Sequence, residues 1–353
     1  MHSLRKIEFE TLLNKISNQR SQNLPFVVYS YPNETRVKAL LQDNDVMHSV
    51  NDFQESGFVF APFNASQSPV LLKGNSCFLS NYERLKETAI VYKEIEDADK
   101  CSHMDLVKSG IDEIKSGNLK KVVLSRKLDV VTDKNFLEIF KKALYTYVNA
   151  FRYIFYHPKV GMWIGASPEQ LLKVVDNHIE TTSLAGTLPV IGNKKPEWSQ
   201  KELEEQQMVT DFLKEEILDF VDDIKTTEVV SVKAGKLWHL KTGISANLQR
   251  FDLLKNLIDI IHPSPAVCGV PKELAKEFIL TSEAYERRYY TGFLGELNLN
   301  KEYSVSLFVN LRCMAIESNI ATIFVGGGVT EASDPEKEWN ETQNKCQTML
   351  ALL

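Results

Sequence analysis

The sequence lacks the features that mark several classes of protein. Its cysteines, Cys77, Cys101, Cys268, Cys313 and Cys346, are odd in number, far apart and without a CxxC motif, which argues against a disulfide framework. The seven histidines form no zinc-binding pattern. We therefore expect reduced core thiols in a cytoplasmic protein.

Long apolar runs and blocks of one charge are also missing. No stretch approaches the roughly 18 consecutive apolar residues of a transmembrane helix. The first ten residues do not resemble the apolar segment of a signal peptide. Lysine and arginine are scattered through a chain of net charge -6, which argues against nucleic-acid binding. The sequence thus predicts a protein that binds neither membranes nor nucleic acid.

What is present is a large apolar fraction arranged in short segments. Apolar residues make up 43% of the 353 residues, enough for a sizeable core. Strands come in runs with helices between some of them, without strict alternation. This pattern favours an α+β fold with mainly antiparallel sheets over a doubly wound fold. Because no repeat or linker interrupts the chain, we expect a single domain over residues 1–353.

The predicted elements follow from apolar periodicity and turn residues. Strands are expected near 26–31, 57–63, 70–72, 121–127, 151–156, 162–166, 179–184, 229–232, 238–240, 290–297, 303–312 and 321–325. Helices are expected near 135–148 and 198–221, before Gly117, after Pro271 and near the C-terminus. Residues 93–100 are charged and predict a surface connection.

The C-terminal segment 324–345 carries the strongest signal. A strand is predicted to end at the glycine triplet 326–328, and glycines let backbone amides approach a ligand closely. Ser333, with Glu336 three residues on, and Pro335 then indicate the start of a helix. The segment therefore predicts a strand, a glycine-rich turn and a helix that together contact a ligand.

Two carboxylates and an ammonium share one face of this helix. Glu338, Glu341 and Lys345 are spaced at i, i+3 and i+7, beside the apolar residues 349–353. Carboxylate oxygens suit Mg²⁺, which usually takes one or two protein carboxylates plus ligand oxygens. The alternative is a solvated acidic helix with one Glu–Lys pair.

The helix predicted at 198–221 has the same feature. Glu202 and Glu205 fall on one stripe with Val209 and Leu213. Charged side chains are rarely buried unless they are paired or bind a metal. Two helices that each direct a pair of glutamates inward therefore predict a Mg²⁺ site completed by an anionic substrate. Salt bridges between these glutamates and lysines are the alternative.

Three strand residues could carry further chemistry. Lys121 shares a strand face with Val123 and could serve as a general base in a dry site; the alternative is a lysine that protects an edge strand. Glu169, at a strand end, could have a raised pKa and act as a general acid; the alternative is an ordinary turn residue. Arg312, at the end of an apolar strand, is expected to bind a carboxylate.

Together and in this order, the motifs resemble the chorismate-utilising enzyme family. The resemblance covers about residues 106–353, whereas the first hundred residues match only in length and general character. It rests on Lys121-Val-Val-Leu-Ser-Arg, Ala166-Ser-Pro-Glu169, Leu184-Ala-Gly-Thr187, Lys201-Glu-Leu-Glu-Glu205, His239-Leu, His262-Pro-Ser-Pro-Ala-Val-Cys-Gly, Tyr290-Thr-Gly, Leu311-Arg312, the glycine triplet and Glu338 to Lys345.

The resemblance implies a fold and roles for individual residues. The fold is an α/β sandwich of two large, mainly antiparallel sheets with helices outside, as in anthranilate synthase component I. Lys121 resembles the base that activates water for attack at C2 of chorismate. Glu169 resembles the acid that protonates the departing C4 hydroxyl.

The resemblance also implies ligands for the metal and the substrate. Glu205 and Glu341 resemble direct Mg²⁺ ligands, with Glu202 and Glu338 acting through ordered water. The residues implied to hold the substrate's carboxylates are Arg312, Tyr290, Lys345 and the amides around Gly326 and Gly328. Those implied to line the ring pocket are Gly186, Thr187 and His239.

The implied activity is Mg²⁺-dependent conversion of chorismate to isochorismate, for menaquinone or siderophore biosynthesis, without an obligatory protein partner. Lys121 suits enzymes that use water, whereas the ammonia-using anthranilate branch typically has glutamine there. Ala185 stands where many aminodeoxychorismate synthases have lysine, and Gln206 departs from the family's usual histidine. The alternatives are a salicylate synthase, which also releases pyruvate, an anthranilate or aminodeoxychorismate synthase component, and an inactive subunit that binds metal and anions.

Overall fold

The computed structural model describes residues 4–84, 98–190, 192, 195–234, 237–299 and 301–353. Its helices are α1 Phe9–Ser21, α2 Lys100–Lys115, α3 Phe136–Thr146, α4 Gln200–Ile217, α5 Leu254–Ile261, α6 Lys272–Ser282 and α7 Pro335–Leu350. Its strands are β1 Leu4–Lys6, β2 Phe26–Ser30, β3 Arg36–Leu41, β4 His48–Ser49, β5 Gly57–Ala61, β6 Val70–Leu72, β7 Ser76–Asn81, β8 Lys121–Val131, β9 Phe151–His157, β10 Gly161–Ser167, β11 Gln170–Val175, β12 His178–Pro189, β13 Val221–Thr226, β14 Val230–Ala234, β15 Leu237–Leu248, β16 Gly269–Val270, β17 Phe293–Leu297, β18 Ser304–Val309, β19 Cys313–Glu317 and β20 Ile320–Val329.

The strands form two large sheets. The first sheet has the order β1-β7-β3-β2-β9-β10-β19-β20-β8-β16, and the second has the order β13-β15-β12-β11-β18-β17-β5-β6-β4, with β14 also paired to β15. The pairing of β1 with β7 is parallel, whereas the other pairs along the first sheet are antiparallel. The α+β class with mainly antiparallel sheets is therefore confirmed.

The two sheets pack face to face through a core rich in aromatic rings. Phe151 of the first sheet stacks on Phe308 of the second, with ring centroids 4.2 Å apart. Helices α1 and α3 cover the outer face of the first sheet, and α4 and α5 cover the outer face of the second. The predicted sandwich with helices outside is confirmed.

This layering explains why the strands appear in the sequence as continuous apolar runs. In β2, Val27 and Tyr29 face the space between the sheets, whereas Phe26 and Val28 face the helices. Both faces are buried, so polar residues do not alternate with apolar ones. Strands of this kind can be predicted from their composition, even though polar and apolar residues do not alternate along them.

The start of α7 differs from the prediction. Asp334, not Ser333, is the residue before the helix, and its side chain accepts a hydrogen bond from the Lys337 amide at 2.9 Å. Pro335 is the first helical residue, as expected. The Ser333 hydroxyl instead donates to Glu338 at 2.7 Å, so Ser333 supports a glutamate of the predicted metal site rather than the helix end.

Other boundaries were also predicted wrongly. The glycine triplet lies inside β20, and Tyr290 and Arg312 lie in turns outside the strands. Helix α5 was not predicted; its C-terminal carbonyls accept hydrogen bonds from the Lys272 ammonium, at 2.7 Å for Asp259. All five cysteines are free, but Cys101 is exposed rather than buried.

The N-terminal hundred residues contribute strands to both sheets. The expectation that the chain forms a single domain, with residues 1–100 as its variable part, stays a prediction. Of the expected surface connection 93–100, residues 93–97 lie outside the described residues, and Lys100 begins α2. No helix in the described ranges combines the length and apolar character needed to cross a membrane.

Candidate active site

One cavity brings together most of the predicted site residues. Its walls come from β8, β12, β15, β20, α4, α7 and the turns before β11, β17 and β19. The predicted residues that line it are Glu169, Gly186, Thr187, Glu205, His239, Tyr290, Arg312, Gly326, Gly328, Glu341 and Lys345. Lys121, Glu202 and Glu338 do not line its surface.

The cavity forms where two neighbouring strands separate. β19 pairs with β20 as far as the Cys313–Phe324 pair, whereas Gly326 to Val329 pair with β8 alone. Arg312, just before β19, adopts the left-handed φ of 48°, which is uncommon for a residue other than glycine. This turn takes the chain away from β20, so the edge of the glycine segment borders the cavity.

The glycine triplet makes room for carboxylates. A Cβ on Gly328 would lie 2.7 Å from Glu205 Oε1, and one on Gly327 would lie 3.2 Å from Glu338 Oε2. Any larger residue would therefore displace the glutamates of α4 and α7. The expected contact of the amides around Gly326 and Gly328 with a ligand stays a prediction.

Lys121 lies beneath the glycines and is fully buried. Its Nζ is 2.7 Å from Glu205 Oε1, and its Cε would be 3.0 Å from a Cβ on Gly328. β16 pairs with Lys121 and Val122, so this part of β8 is not an exposed edge. The interpretation of Lys121 as a solvent-facing residue that protects an edge strand is therefore wrong.

Three lysines neutralise three glutamates at this end of the cavity. Besides Lys121 with Glu205, Lys201 Nζ is 2.9 Å from Glu338 Oε1 and Lys345 Nζ is 2.5 Å from Glu341 Oε1. Burial would raise the pKa of Glu205, but the charge and hydrogen bond of Lys121 outweigh burial and lower it. Salt bridges, the alternative considered for these glutamates, are therefore formed here.

Glu202 has a different role in the described structure. Its Oε2 accepts hydrogen bonds from the Ser199 amide, at 2.9 Å, and from the Ser199 hydroxyl, and so caps the start of α4. Among the described residues, no group of three His, Cys, Asp or Glu side chains is arranged as a ready metal site.

Glu338 is the glutamate whose hydrogen bonds are least complete. The residue is 2% exposed, and its Oε2 has no hydrogen-bond partner among the described residues. Burial, and then the nearby charge of Glu341, raise the pKa of Glu338. A buried carboxylate oxygen without a donor favours the approach of a cation.

Glu169 places a carboxyl group on the cavity wall close to Lys121. The residue is 5% exposed, and its backbone carbonyl accepts from the Val309 amide at 3.0 Å, which fixes it to β18. Burial raises the pKa of Glu169 to about 8, although the charge of Lys121 acts in the opposite direction. The carboxyl is therefore mostly protonated at neutral pH, as a general acid requires.

Arg312 presents a guanidinium to the cavity without a carboxylate partner among the described residues. Its Nη1 donates to Thr348 Oγ1 at 2.9 Å, and its Nη2 lies 3.5 Å from His239 Nε2. Burial and the charge of Arg312 lower the pKa of His239 to about 3, so the imidazole is neutral. His239 Nδ1 is 2.8 Å from the Gly186 carbonyl and therefore carries the proton.

Gly186 and Thr187 reach the cavity through a bulge in β12. The pairing of β12 with β15 shifts between Ala185 and Leu188, and Gly186 has a φ of 70°. Bulges often re-aim side chains beside active sites. Both residues line the cavity, and their contact with a substrate ring stays a prediction.

Sequence reasoning missed several residues of this site. Thr348 continues the Glu341–Lys345 face of α7 by one turn, and Lys201 precedes Glu205 by one turn of α4. Helical spacing could have identified both. The buried pair Glu283–Arg287, 2.6 Å apart, holds Ser125 and the Val123 carbonyl of β8. No sequence signal indicated that pair.

The family model described as chorismate binding enzyme matches residues 70–353 of the chain. The chain belongs to the chorismate binding enzyme family. A relative from this family, isochorismate synthase MenF of Escherichia coli, is 29% identical over 268 residues, which cover 72% of the chain and 61% of the relative. The chain spans 61 to 66% of the length of the curated relatives it matches first.

Solved structures share the fold of this chorismate binding enzyme. A protein described as a 2,3-dihydroxybenzoate-specific isochorismate synthase, DhbC from Bacillus anthracis, has a TM-score of 0.80 at 24% identity, covering 94% of this chain and 96% of that one. Anthranilate synthase component I from Streptococcus pneumoniae has a TM-score of 0.67 at 17% identity, covering 92% and 89%. These similarities establish the fold, including its likeness to anthranilate synthase component I.

Proposed function

We propose that the chain is an isochorismate synthase, an isomerase that adds water at C2 of chorismate while the hydroxyl group at C4 departs. The observation that carries the proposal is the pairing of Glu169, a carboxyl whose pKa is raised to about 8, with the buried Lys121 beside it. An acid on the cavity wall and a base buried behind the wall, beneath the glycine segment, are the two groups that simultaneous loss and addition of water require.

The proposed reaction balances without a further reactant. Water supplies the oxygen that bonds to C2, and its proton goes to Lys121 in the neutral amine form, after the ammonium paired with Glu205 has released its own proton to solvent. The ring double bond shifts as the C4–O bond breaks, and Glu169 donates its proton to the departing hydroxyl. One water is consumed and one released, so the product is an isomer of the substrate. The two residues then exchange protons with solvent to regenerate their starting states.

The cationic side of the cavity supports binding of the two carboxylates of chorismate. Arg312 has no carboxylate partner among the described residues, and burial lowers its pKa, so an anionic ligand would stabilise its charge. Lys345 lines the same cavity, and its Nζ donates to the Gly326 carbonyl at 2.9 Å. Tyr290 also lines this cavity, with its hydroxyl close to Gly326. Gly186, Thr187 and His239 would contact the ring.

The donor set near the glycines fits Mg²⁺. Glu205, Glu338 and Glu341 offer only carboxylate oxygens, one of them buried without a donor, and Gly327 and Gly328 leave room between them. We propose Glu205 and Glu341 as direct ligands, with Glu338, and Glu202 if it leaves its capping position, acting through water. Bound there, Mg²⁺ would supply positive charge that orients a substrate carboxylate.

The test is to incubate the purified protein with chorismate and Mg²⁺, with and without EDTA, and to separate the products by chromatography. We expect isochorismate without pyruvate, and loss of the product on chelation. Glu169→Gln, which keeps the shape of the side chain but cannot donate a carboxyl proton, should abolish most of the product.

Other products would contradict the proposal in distinguishable ways. Salicylate with pyruvate would assign the chain to the salicylate synthases. A product formed only with ammonia would indicate anthranilate-type chemistry. Unchanged chorismate in all conditions would favour an inactive subunit that binds metal and anions. The menaquinone and siderophore roles both start from isochorismate, so this assay supports them equally.

A further inference from the structure

Lys201 stands apart from the residues assigned a role so far. It belongs to α4, one turn before Glu205, and its Nζ reaches across to Glu338 on α7 at a distance of 2.9 Å. The lysine therefore bridges the two helices that carry the proposed Mg²⁺ ligands. We infer that the Lys201 ammonium takes the place of a divalent cation among these carboxylates and competes with it, an inference that rests on the metal site proposed above.

The charges around Lys201 support this role. Glu338, Glu205 and Glu341 all act on its ammonium group, in that order of strength. These are the carboxylates proposed to hold Mg²⁺, directly or through water. A position where one cation meets the field of three carboxylates is the position that a divalent cation would favour most. The Lys201 ammonium therefore lies within the electrostatic reach of all three carboxylates.

Lys201 is also the lysine of the three that is best able to leave. Its side chain is 32% exposed, compared with 0% for Lys121 and 16% for Lys345. Lys345 is held by the Gly326 carbonyl in addition to Glu341, whereas the one hydrogen bond described for Lys201 Nζ is to Glu338. Its flexible four-carbon stem can move the ammonium into solvent without a backbone change.

The competition has a thermodynamic consequence. Without metal, Lys201 offsets the cost of burying Glu338 beside another carboxylate. Metal binding must first displace the lysine. The apparent affinity for metal is therefore the intrinsic affinity multiplied by the fraction of molecules in which the lysine has left the site. Removing the ammonium should therefore tighten metal binding and, at the same time, destabilise the metal-free protein.

The experiment measures binding of Mn²⁺ alone to the full chain, from the electron paramagnetic resonance signal of free Mn²⁺. We expect Lys201→Gln to bind Mn²⁺ roughly tenfold more tightly than wild type, a coupling of ordinary size between two ligands of one site. Lys201→Arg retains the charge and should resemble wild type. Lys214→Gln, an exposed change on the same helix, controls for net charge.

A melting curve of each variant provides a second readout that does not depend on activity. Lys201→Gln should melt below wild type without metal and show the larger increase in Tm when Mn²⁺ is added. A purely structural Lys201 would lower Tm equally with and without Mn²⁺. That result, or unchanged or weaker Mn²⁺ binding by Lys201→Gln, would overturn the inference.

Glu341→Gln separates failure of this inference from failure of the metal site. If Glu341→Gln loses Mn²⁺ binding while Lys201→Gln binds like wild type, the metal site stands and the role of Lys201 is refuted. If Glu341→Gln binds Mn²⁺ as wild type does, the proposed site itself is wrong, and the inference fails with it.

Discussion

Two lysine–glutamate pairs in this protein have nearly the same geometry but different surroundings. Lys38 and Glu296 join the two sheets at 2.6 Å, and Lys121 and Glu205 meet beside the cavity at 2.7 Å. Glu296 also accepts a hydrogen bond from the Tyr29 hydroxyl at 2.7 Å, and the Lys38 ammonium lies over the Tyr31 ring. The first pair is enclosed by aromatic side chains, whereas Glu205 borders a cavity that also contains Arg312 and Lys345.

The difference shows that a buried ion pair alone does not identify a catalytic group. Structural pairs are closed by their neighbours, and their removal costs stability. Catalytic groups occur where charges without mutual partners accumulate on the wall of a cavity and shift one another's pKa values. Glu169, with its pKa raised to about 8, and Arg312, without a carboxylate partner among the described residues, meet that condition on the cavity wall.

The largest effect is expected for Lys121→Ala. Loss of the base should reduce isochorismate formation by roughly 10²–10⁴-fold, because water would lose its proton acceptor. The fold should stay intact, since water can enter the cavity beside Glu205. Product formation is measured by chromatography and folding by circular dichroism. Activity within a factor of three of wild type would remove Lys121 from the mechanism.

Glu169→Gln should lower kcat/KM by roughly 10²–10³-fold and also change the pH profile. Glu169 must be protonated to donate, so its active fraction falls as pH rises through about 8. In wild type, loss of the Glu169 proton should therefore lower kcat/KM tenfold for each pH unit above about 8, on top of the dependence that the proton of Lys121 imposes. The basic limb should be missing from the residual activity of the variant. If the same decrease of kcat/KM above a pH of about 8 persists in Glu169→Gln, the decrease is due to another group.

Lys38→Ala tests the other side of the comparison. Removing one partner of the enclosed pair should lower the free energy of unfolding by about 3 kcal/mol, because Glu296 would keep its charge in a poorly solvated place. The value of kcat should stay near that of wild type. Urea unfolding and turnover of chorismate give the two quantities. If kcat also fell by more than tenfold, the distinction between the pairs would not hold.

The smallest effect is expected for Thr348→Val, which removes the hydrogen bond to Arg312 and keeps the side-chain shape. One such bond to a charged group contributes about 1.5 kcal/mol, so KM for chorismate should rise roughly tenfold with little change in kcat. Thr342→Val, on the same helix but bonded to Arg126, is the matched control. An equal rise in KM for both variants would point to a general disturbance of α7.

The parts of the fold that the sequence predicted are those specified by local pattern. β2 and β9 are buried on both faces and consist mostly of apolar and aromatic residues, with Arg152 and His157 as exceptions in β9, so composition identified them. Helix α5 was missed because it has eight residues, several of them isoleucine, and receives its C-terminal hydrogen bonds from Lys272, a residue of the next helix. That cap is a tertiary interaction with no local signature.

The same division holds for the candidate site. Helical spacing correctly placed Glu338, Glu341 and Lys345 on one face, but it could not predict which lysine would meet which glutamate. Spacing also predicted that Glu202 shares the face and the metal-binding role of Glu205. Because Glu202 lies in the first turn of α4, its carboxylate instead caps that helix. The glycine triplet was expected to expose amides; its measurable effect is to leave space for carboxylates arriving from two other elements.

The most direct test of the proposed chemistry follows the oxygen atom. The protein is incubated briefly with chorismate and Mg²⁺ in water enriched in ¹⁸O, and the isochorismate is analysed by mass spectrometry. If Lys121 and Glu169 exchange one water for another, each new product molecule should carry one ¹⁸O at C2. Isochorismate without the label would mean that the original hydroxyl migrates within the substrate, which would contradict the acid and base roles proposed for these residues.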